Sequence, residues 1–331
     1  MPASRTTFIT GATGFIGSAL LDRLLEDGRR VSALVRTAAA ADHLTARGVR
    51  AVLGDIGDTD VLADGMADAH TVFHVAGINE MCPADPDEMM RVNVDGTLAV
   101  LRAATTAGVS CLVYTSSAVT VGHAHPGSLT DETAVHDERF VSHYERSKYD
   151  AENALLGAAA ASSMRVVIVN PVSVQGPGRT GGSARLLLSI LRRKYPVIPA
   201  TTVSLVDIAD CVSGHLLAET HGVHCARYLL SGAVIDTRQT ATILGAVVGE
   251  RKRPIVVPSG VLKAAGIPLA WIANRAGKES VCPEMIRTLV KGHAYDGSKA
   301  TRDLGLVYTP VEDTMRATVG WYRDQGLLPS K

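Results

Sequence analysis

The amino-acid sequence predicts an α/β protein in which a doubly wound parallel sheet is followed by a smaller lobe. Short apolar runs alternate with helical stretches through the first half of the chain. The runs are nearly continuous in Val, Ile and Leu, which is typical of strands buried on both faces of a parallel sheet. A glycine-rich turn joins the first run to the first helical stretch, and such strand–helix alternation favours parallel pairing. The candidate strands are residues 6–10, 31–36, 49–55, 71–77, 111–117 and 165–171.

Helical stretches fill the gaps between these strands. The segments FIGSALLDRLLEDG and VDGTLAVLRAATTAG have helical spacing and end near glycine, a common helix stop. The pattern changes after Pro171, where residues 175–183 form a loop rich in Gly and Pro. We therefore expect one domain over residues 1–172 and a mixed α/β substrate-binding lobe over residues 173–331, with allowance for the chain crossing back between them.

Composition excludes several classes of protein. The 331 residues are 46% hydrophobic and 20% charged, which is enough to bury a sizeable core. Lys+Arg and Asp+Glu are 33 each, so there is no electrostatic case for nucleic acid or an anionic membrane as partner. The five cysteines are scattered without a CxxC pair, which predicts neither a disulfide framework nor a zinc site and favours a reducing, cytoplasmic location.

Membrane and metal signals are weak. No signal peptide is visible, and the most apolar later segment, residues 264–273, is too short to span a bilayer. We interpret that segment as a core or pocket-lining helix. The pairs His123 with His125 and His221 with His224 have no third ligand placed beside them, so no metal site is predicted.

The first turn has the features of a phosphate-binding loop. TGATGFIG places Gly11, Gly14 and Gly17 three residues apart, directly after a strand and at the start of a helix. Glycines allow a tight turn and close approach of the backbone to a pyrophosphate, while the helix N-terminus offers free N–H groups. This context predicts a dinucleotide, although the spacing is G-x-x-G-x-x-G rather than G-x-G-x-x-G.

The residue that ends the second strand should read the adenosine ribose. An acid there binds the 2′-hydroxyl of NAD, whereas an arginine accommodates the 2′-phosphate of NADP. The strand VSALVR ends in Arg36 with no acid beside it, so NADP(H) is favoured over NAD(H), the alternative being a surface arginine. Asp55 follows the third strand and could meet the adenine, or cap a helix, the role we assign to Asp58.

Polar residues at the end of the fifth strand and on the next helix form a candidate catalytic group. Ligands of open α/β sheets bind at the carboxyl ends of strands, where Ser116 and Ser117 lie, and alternation points only one of them into a cleft. Tyr144 and Lys148 are four residues apart and share a helix face. An ammonium about 4 Å from a phenol contributes roughly 4 kcal/mol at an effective dielectric near 20, or about three pKa units. We therefore expect Lys148 to lower the pKa of Tyr144 towards neutral pH, where the phenol could transfer a proton.

At this point the sequence resembles the extended short-chain dehydrogenase/reductases, also known as the NAD-dependent epimerase/dehydratase superfamily. The motifs that carry the resemblance are TGATGFIG, HVAG (74–77), NVDGT (93–97), YTSSA (114–118), Tyr144 with Lys148, NPVSVQGPG (170–178), VSLVDIADCVSGHLLA (203–218), RYLLSG and AYDGSKATRDLG (294–305). The chain looks closest to the dihydroflavonol 4-reductase-like branch. The resemblance covers nearly the whole chain and implies a Rossmann-type fold.

The resemblance also implies roles for individual residues. Ser117 would hold the substrate oxygen, Tyr144 would be the general acid or base, and Lys148 would bind the nicotinamide ribose. Asn93 would support the active-site helix. The residues expected to contact the cofactor are Gly11, Thr13, Gly14, Phe15, Ile16, Gly17, Arg36, Asp55, Ile56, Val75, Ala76, Gly77, Asn93, Thr115, Tyr144, Lys148, Pro171 and Val174.

Departures from the family pattern bear on the substrate. Val121 stands where sugar-nucleotide members tend to have tyrosine, and Gly122 where flavonoid reductases often have a polar residue. The first hypothesis is an NADP(H)-dependent carbonyl reductase or alcohol dehydrogenase acting on a small apolar substrate. The alternatives are a sugar-nucleotide epimerase or dehydratase with no net cofactor turnover, and a non-enzymatic dinucleotide sensor. The resemblance also implies a homodimer, because helices near 88–106 and 141–161 form a dimer face in many relatives.

Overall fold

A seven-stranded sheet forms the centre of the protein. The computed structural model describes residues 6–122, 128–193, 197–250, 255–268 and 282–328. The sheet has the order β10-β6-β5-β4-β1-β2-β3, and all its neighbouring pairs are parallel. Its strands are β1 (Thr6–Thr10), β2 (Arg30–Val35), β3 (Arg50–Leu53), β4 (Thr71–His74), β5 (Cys111–Thr115), β6 (Arg165–Pro171) and β10 (Arg227–Leu230).

The strand order places a crevice between β1 and β4. From β1 the chain moves outward to β2 and β3, and from β4 it moves the other way to β5 and β6. The carboxyl ends of β1 and β4 flank the point of reversal, which is where open α/β sheets bind ligands. The loops after β1 and β4 therefore border the candidate site.

Helices cover both faces of the sheet. One buried apolar cluster packs α1 and α8 on one face, and a second packs α3, α5 and α6 on the other. The helices are α1 (Phe15–Glu26), α2 (Ala38–Thr45), α3 (Thr59–Met66), α4 (Pro86–Met90), α5 (Gly96–Thr106), α6 (His143–Ala159), α7 (Ser183–Leu191), α8 (Ile208–His221), α9 (Thr237–Val248), α10 (Ser259–Val261), α11 (Pro283–Lys291) and α12 (Val311–Asp324). Shorter turns are the 3₁₀ segment Ala118–Val121 and the π segments Arg91–Asp95, Leu262–Gly266 and Ala300–Leu304.

The second half builds two small sheets and then rejoins the large one. Strands β7 (Ser173–Gln175), β9 (Thr202–Asp207) and β11 (Ala233–Asp236) form one sheet, and β8 (Val197–Pro199) pairs with β12 (Ile255–Val257). A third apolar cluster joins α7, α9 and α12 to the first of these small sheets. β10 pairs with β6 at the edge of the large sheet, so the chain does cross back. The boundary at residue 172 stays a prediction.

The predicted α/β class with a doubly wound parallel sheet is confirmed. The runs 71–77 and 111–117 leave the sheet earlier than predicted, at His74 and Thr115, and their last residues line the crevice. Of the apolar segment 264–273, residues 264–266 belong to the π segment Leu262–Gly266, and residues 269–273 lie outside the described residues. Within the described ranges, the structure contains no helix of the length and apolarity needed to cross a membrane.

Candidate active site

The glycine loop brings β1, α1 and β4 into close contact. Gly11 has φ +75°, and a Cβ on it would lie 2.6 Å from the backbone N of Ala76. A Cβ on Gly17 would lie 2.0 Å from the Gly11 carbonyl oxygen. Both positions therefore require glycine for the packing of the chain itself. At Gly14 a Cβ would lie 3.3 Å from the Gly11 carbonyl oxygen, a tight contact, although the residue itself is exposed.

The N-terminus of α1 is suited to an anion. Its N-cap is Gly14, which supplies no capping side chain, and the first turn contains no acidic residue. The first-turn N–H groups lack partners within the helix, and the helix dipole adds partial positive charge. Thr13 and Gly14 are exposed, while Phe15 and Ile16 are half-buried beside them. These residues fit the pyrophosphate of a dinucleotide.

Arg36 and Asp55 lie at the rim of the same edge. Arg36 follows β2 directly and is exposed. The Asp55 carboxylate accepts a hydrogen bond from the backbone N of Gly57 at 2.9 Å and pairs with Arg91 at 3.4 Å. Asp58 caps α3 through the N of Val61, as the sequence predicted.

The remaining predicted cofactor residues surround the crevice. Val75, Ala76 and Gly77 follow β4, with Gly77 exposed. Pro171 and Val174 are buried where β6 ends and β7 begins. Ile56 is buried, and its side chain packs against Gly96 at the start of α5.

The start of α6 positions the candidate acid or base. The Ser142 hydroxyl accepts a hydrogen bond from the N of Glu145 at 3.1 Å and so begins the helix at His143. Tyr144 therefore lies in the first turn and Lys148 one turn later. The Ser117 hydroxyl lies close enough to the Tyr144 phenol to act on its pKa as a hydrogen-bonding group, whereas the buried Ser116 hydroxyl has no hydrogen-bonding partner among the described residues. Of the two serines, Ser117 thus joins the candidate catalytic group.

The electrostatics of Tyr144 differ from the expectation. Burial raises the pKa of Tyr144, while hydrogen bonding to Ser117 and the positive charge of Arg179 act in the opposite direction. The expected lowering of this pKa by Lys148 does not occur in the protein alone. The Lys148 ammonium instead donates to the Tyr114 hydroxyl at 2.9 Å and to the Thr115 carbonyl at 2.8 Å.

Burial also governs Lys148. It lowers the pKa of the ammonium to about 7, and the nearby Glu152 carboxylate acts to raise it. The Glu152 carboxylate accepts hydrogen bonds from Asn170 at 2.7 Å and Thr120 at 2.8 Å, so its buried charge is well satisfied. An ammonium with this pKa can change protonation state near neutral pH.

Asn93 joins the loop after β4 to the catalytic helix. Its amide oxygen accepts a hydrogen bond from the N of Ile78 at 2.7 Å, and its nitrogen donates to the Ile78 carbonyl at 2.9 Å. The same nitrogen lies 2.9 Å from the hydroxyl of Ser147, the neighbour of Lys148. Asn93 thus supports α6 directly, as a residue with a positioning role would.

Sequence reasoning missed several residues of the site. Tyr114 belongs to the YTSSA motif, but the motif alone does not show that its hydroxyl is the direct partner of Lys148. Glu152 could have been found, because it lies one helical turn beyond Lys148 on the same face. Arg179 lies in the glycine-rich loop after β7, which gave no signal for a role at Tyr144. It stacks on the Phe15 ring at 5.5 Å and donates to the Val174 carbonyl at 2.7 Å.

The prediction that no disulfide forms is wrong for one pair of cysteines. Cys82, in the loop after β4, is bonded to Cys282, the N-cap of α11, with a Cα–Cα distance of 6.2 Å. The two are separated by 200 positions in the sequence, so only the fold brings them together. Glu284 of α11 accepts backbone hydrogen bonds from Cys82 and from His143, both at 3.3 Å, next to Tyr144.

No group of three metal-ligating side chains occurs within the described ranges.

The strand order, the glycine loop and the crevice define an NAD(P)-binding protein with a Rossmann-type fold. The chain belongs to the NAD-dependent epimerase/dehydratase family, whose sequence profile matches residues 7–230. This result confirms the resemblance to the extended short-chain dehydrogenase/reductases.

Three known proteins illustrate the similarity. A protein of Synechocystis sp. with the provisional name dihydroflavonol 4-reductase is 32% identical over 335 residues, covering 98% of this chain and 96% of that protein. The crystal structure of gox2253 is 29% identical, with a TM-score of 0.84 over 98% of this chain and 99% of that one. A UDP-glucose 4-epimerase from Thermotoga maritima is 21% identical, with a TM-score of 0.77 over 97% and 99% of the two chains, and shows the fold alone.

Proposed function

We propose that this protein is an NADP(H)-dependent carbonyl reductase or alcohol dehydrogenase acting on a small apolar substrate. The observation that carries the proposal is that Ser117 lies close enough to Tyr144 to act on its phenol, one helical turn from Lys148 and beside the crevice formed by β1 and β4. Tyr144 supplies an acidic proton, Ser117 can hold a carbonyl oxygen, and Lys148 supplies positive charge.

Ser117, Tyr144 and Lys148 have separate roles in the proposed reaction. A bound nicotinamide dinucleotide supplies or accepts the hydride. Ser117 donates a hydrogen bond to the substrate oxygen, and Tyr144 gives that oxygen its proton in the reductive direction or removes it in the oxidative one. Lys148, one helical turn from Tyr144, would bind the nicotinamide ribose through the N–H that Tyr114 and Thr115 leave unused. Burial holds Tyr144 protonated beforehand, which suits a general acid.

NADP(H) is proposed over NAD(H) because Arg36 is exposed at the end of β2, where the adenosine ribose is read. A guanidinium there can bind a 2′-phosphate through charge-assisted hydrogen bonds. The Asp55 carboxylate is engaged with Arg91 and with the backbone N of Gly57. We therefore do not expect Asp55 to bind the adenosine ribose in place of Arg36.

The sugar-nucleotide epimerase remains the second candidate. One observation favours it: Arg179 acts electrostatically on Tyr144 and could bind a diphosphate there. Two other arginines of the second lobe do not converge on it, because Arg192 donates to the Leu327 carbonyl and Arg185 is exposed on α7. Val121, which stands where sugar-nucleotide members tend to have tyrosine, is fully buried with Leu229 and offers no hydroxyl to a sugar. We therefore favour the reductase.

The deciding assay measures NADPH and NADH oxidation by the purified protein with a panel of aldehydes, ketones and nucleotide sugars. The proposal expects net consumption of NADPH with a simple carbonyl and slower consumption of NADH. Conversion of a nucleotide sugar without net cofactor consumption would contradict the reductase and support the epimerase.

Oligomeric state and location complete the proposal. We propose a homodimer formed through α4, α5 and α6, because exposed small residues near the end of α6 permit close helix approach. Light scattering that gives only the monomer mass would contradict this. We also propose a cytoplasmic enzyme. In that compartment thiol reductants would keep Cys82 and Cys282 largely reduced.

A further inference from the structure

Tyr114 lies directly beneath the ammonium of Lys148. The Lys148 Nζ donates a hydrogen bond of 2.9 Å to the Tyr114 hydroxyl and lies 4.5 Å from the centre of its ring. Tyr114 is fully buried on β5, and Lys148 is 5% exposed. The second hydrogen bond of Nζ, to the Thr115 carbonyl, comes from the next residue of the same strand. The end of β5 therefore fixes two of the three N–H groups of the ammonium.

The Tyr114 ring is itself held by a buried polar network. It stacks on His74 of β4 with 5.3 Å between ring centres. His74 lies 2.8 Å from the Thr10 hydroxyl through Nδ1 and 3.0 Å from the Thr97 hydroxyl through Nε2. The Thr97 hydroxyl donates to the Asn93 carbonyl at 2.6 Å, so it accepts from Nε2–H of His74. The network thus runs from β1, next to the glycine loop, to the lysine.

The third N–H of Lys148 is left for the crevice. Nζ lies beside Gly77, because a Cβ placed on Gly77 would come within 3.9 Å of it. Gly77 is exposed and follows the end of β4. We propose that Tyr114 is a positioning residue that fixes the Lys148 ammonium at the crevice for Tyr144 and a cofactor ribose. This inference rests on the proposed function for its consequence in catalysis, but not for the contact itself.

The charged and titratable groups around Lys148 are consistent with this role. Glu152 acts on it from α6, Tyr114 from β5 and His74 from β4, and Tyr144 lies one helical turn before it on α6. Burial lowers the pKa of His74 to about 3, so this ring is neutral at physiological pH. Burial raises the pKa of Tyr114, which therefore remains a neutral acceptor and does not compete with Tyr144 for proton transfer.

The direct test is the titration of Lys148 by NMR in protein carrying ¹³C,¹⁵N-lysine. The chain has eight lysines, and Lys148→Arg assigns the signal. Tyr114→Phe keeps the ring but removes the acceptor, so the pH at which Lys148 titrates should fall by about one unit. Tyr228→Phe is the matched control, because Tyr228 is also fully buried in the large sheet and lies under a lysine, Lys299, at 3.5 Å. An unchanged titration in Tyr114→Phe overturns the proposal.

Kinetics add a readout that a purely structural role would not change. Tyr114→Phe should lower kcat about tenfold or more and move the alkaline limb of the kcat profile to lower pH, whereas Tyr228→Phe should move neither. An equal loss at every pH would overturn the positioning role. If the wild type reduces no carbonyl, the proposed function fails while the NMR titration still decides the role of Tyr114. Should Tyr114→Phe not fold, Thr97→Val removes a hydroxyl on which the network depends and is expected to act in the same direction.

Discussion

The Cys82–Cys282 disulfide should contribute strongly to stability. Its effect comes mainly from restricting the unfolded chain, and it closes a loop between residues 200 positions apart. The chain-entropy relation gives about 18 cal/mol/K for such a loop, or about 5 kcal/mol at 25 °C. Measured values are commonly about 2–4 kcal/mol, so we expect reduction to lower the free energy of unfolding by about 2–5 kcal/mol.

The assay is equilibrium unfolding in guanidinium chloride, followed by circular dichroism, with and without a thiol reductant. Wild type should lose stability on reduction, and Cys282→Ser should behave like reduced wild type under both conditions. Cys225→Ser is the matched control, because Cys225 is a free thiol and its replacement should leave the effect of reductant intact. Peptide mapping confirms the bond before unfolding. Equal midpoints for oxidised and reduced wild type would refute this reasoning.

Three further predictions follow from buried and rim charges. The Arg29 guanidinium donates two hydrogen bonds, of 2.8 and 2.9 Å, to the buried Glu219 carboxylate. Arg29→Met removes both and should lower the free energy of unfolding in urea by about 3 kcal/mol. A change below ~1 kcal/mol would contradict this prediction. Lys148 has a pKa of about 7 in the fold and 10.5 as its ordinary value, so the unfolded chain binds more protons between these pH values. The free energy of unfolding of the wild type, relative to that of Lys148→Met, should therefore rise from pH 7 to 10.5. If the two proteins had the same pH dependence, that result would count against a buried ammonium at Lys148. Arg36→Ser should weaken NADPH binding about tenfold and leave NADH binding unchanged by calorimetry, whereas equal losses would argue against a phosphate contact.

Local patterns predicted the fold well. Strand β6 has the bounds that the apolar run 165–171 predicted, because a continuous Val/Ile run leaves little choice of structure. The run 71–77 was predicted too long, since hydrophobicity continues through residues 75–77 after pairing with β5 has ended at His74. Residues that border a crevice can be apolar without belonging to a strand.

The candidate site was predictable only where its geometry is local. Tyr144 and Lys148 lie on one helix, so their spacing alone places them on one face. The contact between Lys148 and Tyr114 joins residues 34 positions apart, and the Cys82–Cys282 bond joins residues 200 apart. Such contacts depend on strand order and loop paths that a single sequence does not encode locally. The expected effect of Lys148 on the pKa of Tyr144 was wrong for the same reason, because the ammonium is engaged by another strand.

The central claim is that Tyr144 is the general acid or base of a dinucleotide-dependent carbonyl reductase. The measurement that tests it most directly is NADPH oxidation with an accepted carbonyl by Tyr144→Phe, together with NADPH binding by fluorescence. Tyr149→Phe is the matched control, because Tyr149 lies on the same helix with its hydroxyl on Glu138 instead. We predict that Tyr144→Phe loses about 10²–10⁴-fold in kcat while it binds NADPH nearly as tightly as the wild type, and that Tyr149→Phe keeps full activity. Full turnover by Tyr144→Phe would contradict the assignment.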